Sequence, residues 1–110
     1  MDEKERTAIY RLHAEFCKTL SDANRLLIIT ELAKGEASVN ELVRKLSIQQ
    51  SNVSKHLSLM REHGLVEFRK EGSTIFYNLS DSRIYEAIKL LIEAQADLIE
   101  KRHSLTKVSH

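Results

Sequence analysis

The chain has one cysteine, no proline, no tryptophan and only three glycines among its 110 residues. A single cysteine excludes an internal disulfide and any Cys-x-x-Cys metal or redox motif. The sequence also has no apolar run near the ~20 residues that a membrane-spanning helix needs, and no charged, apolar and small-residue opening of the secretory kind. We therefore expect a cytoplasmic protein that makes no membrane contact.

Neither sign of charge predominates in the sequence. The 17 lysines and arginines nearly balance the 16 aspartates and glutamates, which leaves a net charge of +1. Any basic patch that binds nucleic acid must therefore be local. The length predicts a single domain over residues 1–110, small enough that pairing with a second copy would help it. The charged start, residues 1–6, and the aperiodic end, residues 104–110, are expected to be disordered tails.

Two short helices are predicted between residues 38 and 66. Apolar residues recur at helical spacing in residues 39–46 and again in residues 53–60, and Ser38 with Glu41 fits a capping box at the first start. Only residues 47–49 lie between the two segments, which is the connection length of a helix-turn-helix. An ordinary helical hairpin is the alternative interpretation.

The face of the second helix opposite its apolar stripe carries small polar side chains and one lysine, namely Ser51, Lys55, Ser58 and Glu62. Such a face can lie in the DNA major groove, where base edges and phosphates require hydrogen-bonding groups. A protein-interaction module is the alternative, but a partner-binding helix would carry aromatic or large aliphatic anchors there. Leu59 is the only sizeable apolar residue at the edge, which favours DNA.

After Gly64 the apolar period changes from helical spacing to two, which predicts two strands joined at residues 70–73. Arg69, Lys70, Ser73 and Thr74 stand at the tip of this hairpin. Directly behind a helix-turn-helix, such a tip offers a second contact to DNA, suited to phosphates and the minor groove. The alternative is a solvated turn whose charges keep a sheet edge soluble.

The first and last predicted helices carry long apolar stripes, whereas residues 26–32 form an apolar helix that we expect at the centre of the core. The last stripe is too large for the end of a small domain, so we expect these two helices to pack partly on each other and partly on a second copy. The predicted dimer interface consists of Ile9, Leu12, Ile84, Ile88, Leu91 and Leu98.

Cys17 lies beside Phe16 on the first helix and is expected to be a small buried hydrophobic residue. Two alternatives are a reactive thiol and half of a metal site with His13, for which His103 is the nearest further donor type. No nucleophile, base and orienting group recur at a motif spacing, and the chain has no Gly-rich phosphate loop, so no enzymatic activity is predicted.

In their order and spacing, the segments LSDANRLLII, VSKHL, REHGLV and RKEGSTIFYNL resemble the ArsR-type winged-helix repressors over nearly the whole chain. The resemblance implies a mainly α fold with a β-hairpin wing (α+β), a winged helix-turn-helix dimerised through its first and last helices. It also implies a homodimer that binds an imperfect inverted repeat in double-stranded DNA and leaves it when an inducer, such as a small molecule, binds.

Carried across, the resemblance places the DNA contacts on the second helix of the pair and on the wing. The predicted contacts are Gln50, Ser51, Asn52, Ser54, Lys55, Ser58, Arg69, Lys70, Gly72, Ser73 and Thr74. His56 falls on the inner edge of its helix and is expected to be a structural hydrogen-bonding group.

The chain departs from the family at both metal sites that many members use. A Cys-Val-Cys motif of the third helix is replaced by Ser38, Val39 and Asn40. An Asp-x-His and a later His-x-x-acid pair are replaced by Asp81, Arg83, Ala94 and Asp97. We therefore predict no metal and no cofactor.

Overall fold

The computed structural model describes residues 1–108 and contains five helices and three strands over that range. In chain order they are α1 Glu3–Leu20, α2 Ala23–Ala33, β1 Ala37–Ser38, α3 Val39–Leu46, α4 Gln50–Glu62, β2 Val66–Glu71, β3 Thr74–Leu79 and α5 Arg83–Val108. This confirms the mainly α class with a hairpin wing. Over the same range, none of the helices combines the length and the apolar content that a membrane crossing requires.

The chain divides into two compact units, Met1–Ser80 and Asp81–His110. The first unit holds α1 to β3, and the second holds the long helix α5. The prediction of one domain over residues 1–110 stays a prediction.

The core of the first unit is built by α2, α3 and α4, which pack their apolar sides together. The side chains that are fully buried are Ile28, Ile29, Leu42, Val53, Leu57, Met60 and Leu65. Helix α2 is therefore the central helix that its all-round apolar sequence predicts. Residues of α4 at i, i+4 and i+7 reach this core, so the opposite side of α4 is left to solvent.

Helices α3 and α4 are joined by residues 47–49, which confirms the predicted connection. The predicted capping box is present: the Ser38 hydroxyl accepts from the Glu41 amide at 3.2 Å, and the Glu41 carboxylate accepts from the Ser38 amide at 3.2 Å. The connection opens at Ser47, whose φ of 55° is left-handed, and its amide donates to the Val43 carbonyl at 2.9 Å. That conformation ends α3 sharply and lets the chain reverse into α4.

Helix α4 ends in a Schellman motif, as the glycine at position 64 predicts. Gly64 has a φ of 77°, and the Leu65 amide donates back to the Met60 carbonyl at 2.8 Å. This turn directs the chain into β2, which is antiparallel to β3 and pairs Glu71 with Thr74.

The wing turn is tighter than predicted, because only Gly72 and Ser73 lie between the paired strands. Lys70, expected in the turn, belongs to β2 instead. Gly72 has a φ of 62°, and a glycine at the first of two turn residues suits a type II′ hairpin. A third strand that the sequence did not predict, β1, pairs with β3 through Ser38 and Phe76, giving the sheet order β1-β3-β2.

The predicted tails are largely helical. The Asp2 carboxylate accepts from the Glu5 amide at 2.8 Å and caps α1, so that helix begins at Glu3, within the stretch 1–6 expected to be disordered. Helix α5 continues to Val108, through most of the expected tail 104–110. Residues 109 and 110 lie outside the described range.

Candidate nucleic-acid interface

Helix α4 presents to solvent the polar residues that the sequence assigned to DNA contact. Val53, Leu57 and Met60 are fully buried on its inner side. The predicted DNA contacts of α4 are all exposed on its other sides, namely Gln50, Ser51, Asn52, Ser54, Lys55 and Ser58; Arg61 and Glu62 in its last turn are exposed as well. Leu59 at the edge is half-buried, so this outer surface offers hydrogen-bonding groups rather than an apolar anchor.

The first turn of α4 lacks a side-chain cap. Gln49 stands at the N-cap, with a φ of −58° and a ψ of 142°, and makes no side-chain cap hydrogen bond. The first amides of an uncapped helix point outward with the positive end of the helix dipole behind them. Such amides can donate to a phosphate oxygen of DNA.

His56 anchors α4 to the start of α2, as expected of a structural histidine. Its Nδ1 lies 3.5 Å from Nη1 of Arg25, and its Nε2 lies 3.8 Å from the Asp22 carboxylate. The Asp22 carboxylate also caps α2 by accepting from the amides of Asn24 and Arg25 at 2.9 and 3.1 Å. The hydrogen bond from the Arg25 amide and the nearby His56 lower the pKa of Asp22, while partial burial opposes this shift.

The wing tip lies beside the start of α4. A cleft of about 250 Å³ is lined by residues from the α3 start, the α4 start and the wing turn, namely Ser38, Val39, Asn40, Gln50, Ser73, Thr74 and Ile75. The fold therefore brings Gln50 together with Ser73 and Thr74, which are more than 20 positions apart in the sequence. Asn40 is an exposed polar residue at this cleft that sequence reasoning missed, because nothing local links α3 to the wing.

Two of the predicted cationic contacts, Lys55 on α4 and Lys70 on β2, are exposed and form no ion pair within the described part of the chain. Arg69 differs from them. Its guanidinium donates to both oxygens of Glu36 at 2.8 and 2.5 Å and to Glu71 at 2.9 Å. Lys55 and Lys70 therefore have charges available to a phosphate, whereas the charge of Arg69 is already balanced.

The expected burial of Cys17 is wrong for this chain, because its thiol is exposed. The spacing along α1 indicates which face Cys17 shares with Phe16, but it does not indicate whether that face is covered. The thiol lies 3.4 Å from Nε2 of His13, so these two side chains meet as the four-residue spacing allows. Over the residues that the structure describes, no three His, Cys, Asp or Glu side chains are grouped to hold a metal.

At the second metal position of the family, the Asp81 carboxylate is bound by the side chain of Arg83. The Arg83 guanidinium donates to the Asp81 carboxylate at 2.7 Å, and the Arg83 amide donates to it at 2.9 Å. Both hydrogen bonds lower the pKa of Asp81 to about 2, the guanidinium bond most, and the guanidinium–carboxylate contact raises the pKa of Arg83. The carboxylate that would ligate a metal thus accepts from the first amide of α5 and pairs with a permanent cation.

Helices α1 and α5 each expose large apolar side chains. On α1, Ile9 and Leu12 are 51% and 68% exposed, and on α5, Leu91 and Leu98 are 70% and 66% exposed. Two other predicted interface residues differ, because Ile88 is only 6% exposed and Ile84 is half-buried in the single chain. The assignment of the six residues to a dimer interface stays a prediction.

Comparison with known proteins gives consistent matches. The family described as bacterial regulatory protein, arsR family, matches residues 22–67. The transcriptional activator HlyU of Vibrio cholerae is 42% identical over 74 residues, which are 67% of this chain and 68% of that protein. The uncharacterized HTH-type transcriptional regulator MJ1325 of Methanocaldococcus jannaschii is 38% identical over 85 residues, 76% of this chain and 96% of that protein.

A solved structure gives the same answer for the fold. The transcriptional repressor BigR from Xylella fastidiosa superposes with a TM-score of 0.75 at 32% identity, over 86% of this chain and 96% of that chain. The fold that this chain shares with BigR, and the polar outer face of α4 in this chain, agree with the sequence matches. This chain therefore belongs to the ArsR family of winged helix-turn-helix, DNA-binding transcriptional regulators, and it is not an enzyme.

Proposed function

We propose that this regulator is a homodimeric repressor that binds an imperfect inverted repeat and leaves it when an inducer binds. The observation that carries the DNA contact is the outer side of α4, where every exposed residue from Gln50 to Ser58 is small, polar or cationic. Such a helix fits the major groove. A regulator of this kind acts in the cytoplasm, where it meets chromosomal DNA.

In the proposed complex each side chain has a distinct task. The amides of Gln50 and Asn52 are suited to adenine edges, and the unpaired Lys55 to guanine or phosphate. The serine hydroxyls of α4 serve bases or phosphates. The wing, through Lys70 and the turn residues Gly72, Ser73 and Thr74, contacts the backbone or the minor groove beside α4.

The dimer is supported by the apolar side chains that α1 and α5 expose in the single chain, among them Leu12, Leu91 and Leu98. Apolar helix faces of this kind are covered in soluble proteins. A two-fold dimer covers the same face on both subunits. Two-fold symmetry then requires two half-sites whose centres lie roughly 10 base pairs apart, or a multiple of that distance.

The proposed inducer is not a metal of the kinds that the family's standard sites bind. Ser38 is engaged in capping α3, and Asp81 is engaged by Arg83 at 2.7 Å. The remaining candidate is the exposed pair of His13 and Cys17 at 3.4 Å, which supplies two of about four ligands that zinc requires. We therefore propose a small molecule other than these metals as the inducer.

The test is to sequence genomic fragments that the purified protein retains, and to measure transcription from them with and without the protein. We expect enriched promoter fragments and less transcript when the protein is present. Lys55→Ala should weaken binding about tenfold or more. Lys45→Ala is the matched control, because Lys45 is an exposed cation on α3 outside the proposed interface. Equal losses in both variants, or more transcript with the protein, would contradict the proposal.

A further inference from the structure

Arg69 is the most heavily engaged cation of the wing. Its Nε and Nη2 bind the two carboxylate oxygens of Glu36 at 2.8 and 2.5 Å, and its Nη1 binds Glu71 at 2.9 Å. The guanidinium also lies 4.8 Å from the centre of the Phe76 ring. All three of its nitrogens therefore donate within the protein, in the bidentate geometry that makes arginine pairs strong.

The charges around Arg69 oppose a second role as a phosphate contact. Two carboxylates surround one guanidinium, so the cluster carries a net negative charge that repels a phosphate. The hydrogen bonds from Arg69 lower the pKa of Glu36, which keeps that carboxylate ionised. Lys70, the next residue, points to the other face of the strand and has no ion pair in the described range.

The partners of Arg69 connect parts of the fold that are distant in sequence. Glu36 lies 33 positions earlier, directly before β1. Arg69 pairs in register with Phe76 of β3, and Phe76 pairs on its other side with Ser38 of β1. The contact therefore crosses all three strands, from β2 over β3 to the chain that enters α3.

This connection matters because β1 is short. Only two residue pairs, Ala37 with Tyr77 and Ser38 with Phe76, join β1 to β3. Ser38 is also the N-cap of α3. Whatever fixes the hairpin against the start of β1 consequently fixes its direction relative to the helix-turn-helix.

We propose that the Glu36–Arg69 pair is a clamp that positions the wing, and that Arg69 acts through it rather than by touching DNA. This proposal rests on the proposed DNA contact of the wing. It replaces the sequence-based assignment of Arg69 as a DNA contact. The clamp holds Ser73 and Thr74 beside the start of α4, so that these residues and Lys70 of the same hairpin meet the DNA backbone.

The clamp and a direct DNA contact by Arg69 predict opposite changes in DNA affinity when Glu36 loses its charge. Glu36→Gln removes a negative charge and would free Arg69 for a phosphate, so a DNA-contacting Arg69 predicts tighter binding. A clamp predicts binding weakened about three- to tenfold, because an exposed ion pair is worth up to a few-fold and the dimer contains two. Glu67→Gln is the matched control, since Glu67 is an exposed carboxylate on the same face of β2 with no side-chain partner among the described residues. It should bind as tightly as wild type or slightly tighter.

The experiment measures binding of a fluorescent genomic fragment that the wild type retains, and amide hydrogen exchange in the free protein. Glu36→Gln should bind more weakly and exchange the Phe76 and Tyr77 amides faster, while Glu67→Gln should leave exchange unchanged and should not weaken binding. The charge swap Glu36→Arg with Arg69→Glu rebuilds the pair and should recover most of the affinity. Glu36→Gln binding as tightly as wild type or tighter would overturn the clamp.

The double variant Glu36→Arg with Arg69→Glu provides a second test. If it protects the wing amides but binds DNA weakly, Arg69 itself contacts DNA and the clamp proposal is wrong. If the wild type retains no fragment, the proposed function fails, while amide exchange in Glu36→Gln still decides whether the clamp orders the wing. Unchanged exchange in that variant would overturn the clamp on its own.

Discussion

Leu91→Glu should convert the dimer to a folded monomer. Leu91 is 70% exposed in the single chain, so a charged residue there does not disturb the core of the subunit. Burying a whole leucine side chain stabilises by about 1.5–3 kcal/mol, so the exposed part contributes roughly 1–2 kcal/mol per subunit. Two-fold symmetry doubles this to about 2–4 kcal/mol.

That loss corresponds to a dimer about 30- to 1,000-fold weaker, before the cost of burying a carboxylate is added. Sedimentation velocity over a concentration series measures the shift, and circular dichroism checks that the helices remain. Lys89→Glu is the control, because position 89 lies about 200° around the helix from position 91. A folded dimer of unchanged affinity in Leu91→Glu would refute the interface on α5.

Three further predictions follow from local contacts. Ser47→Gly should raise the free energy of unfolding by up to about 1 kcal/mol in urea titrations, because Ser47 has a left-handed φ of 55°; a clear loss of stability would contradict this. The pKa of Asp81 is lowered to about 2 by Arg83, below its ordinary 3.8. Its stabilising contribution is therefore present above about pH 4 and lost as the pH falls towards 2, and Asp81→Asn should remove that part of the acid sensitivity; an unchanged pH profile would refute it. Zinc titrated into the protein–DNA complex should not release DNA at micromolar free zinc; release that disappears in Cys17→Ser would locate a sensor on α1.

The helix-turn-helix could be predicted from the sequence because its signals are local. The Ser38 and Glu41 capping box, the three-residue connection and the glycine at position 64 each fix a boundary within one turn of chain. The alternation of apolar residues likewise predicted the hairpin. Its turn was placed two residues too wide, because Lys70 and Glu71 are charged residues that read as a turn but pair in the strand.

The features that the sequence could not reveal depend on contacts between distant segments. Strand β1 has two residues, too few for any periodicity, and exists because β3 pairs with it. The Glu36–Arg69 contact spans 33 positions, so Arg69 looked like any exposed cation of a basic wing. Helical spacing placed Cys17 on the face of Phe16, but exposure depends on what covers that face, which spacing does not contain.

Selection of bound sequences from a pool of random DNA duplexes tests the central claim most directly. The account predicts enriched duplexes that contain an inverted repeat, with half-site centres roughly 10 base pairs apart or a multiple of that distance, each duplex bound by two chains. Lys55→Ala should reduce that enrichment. Enrichment of an asymmetric site bound by one chain, or no enrichment over the starting pool, would contradict it.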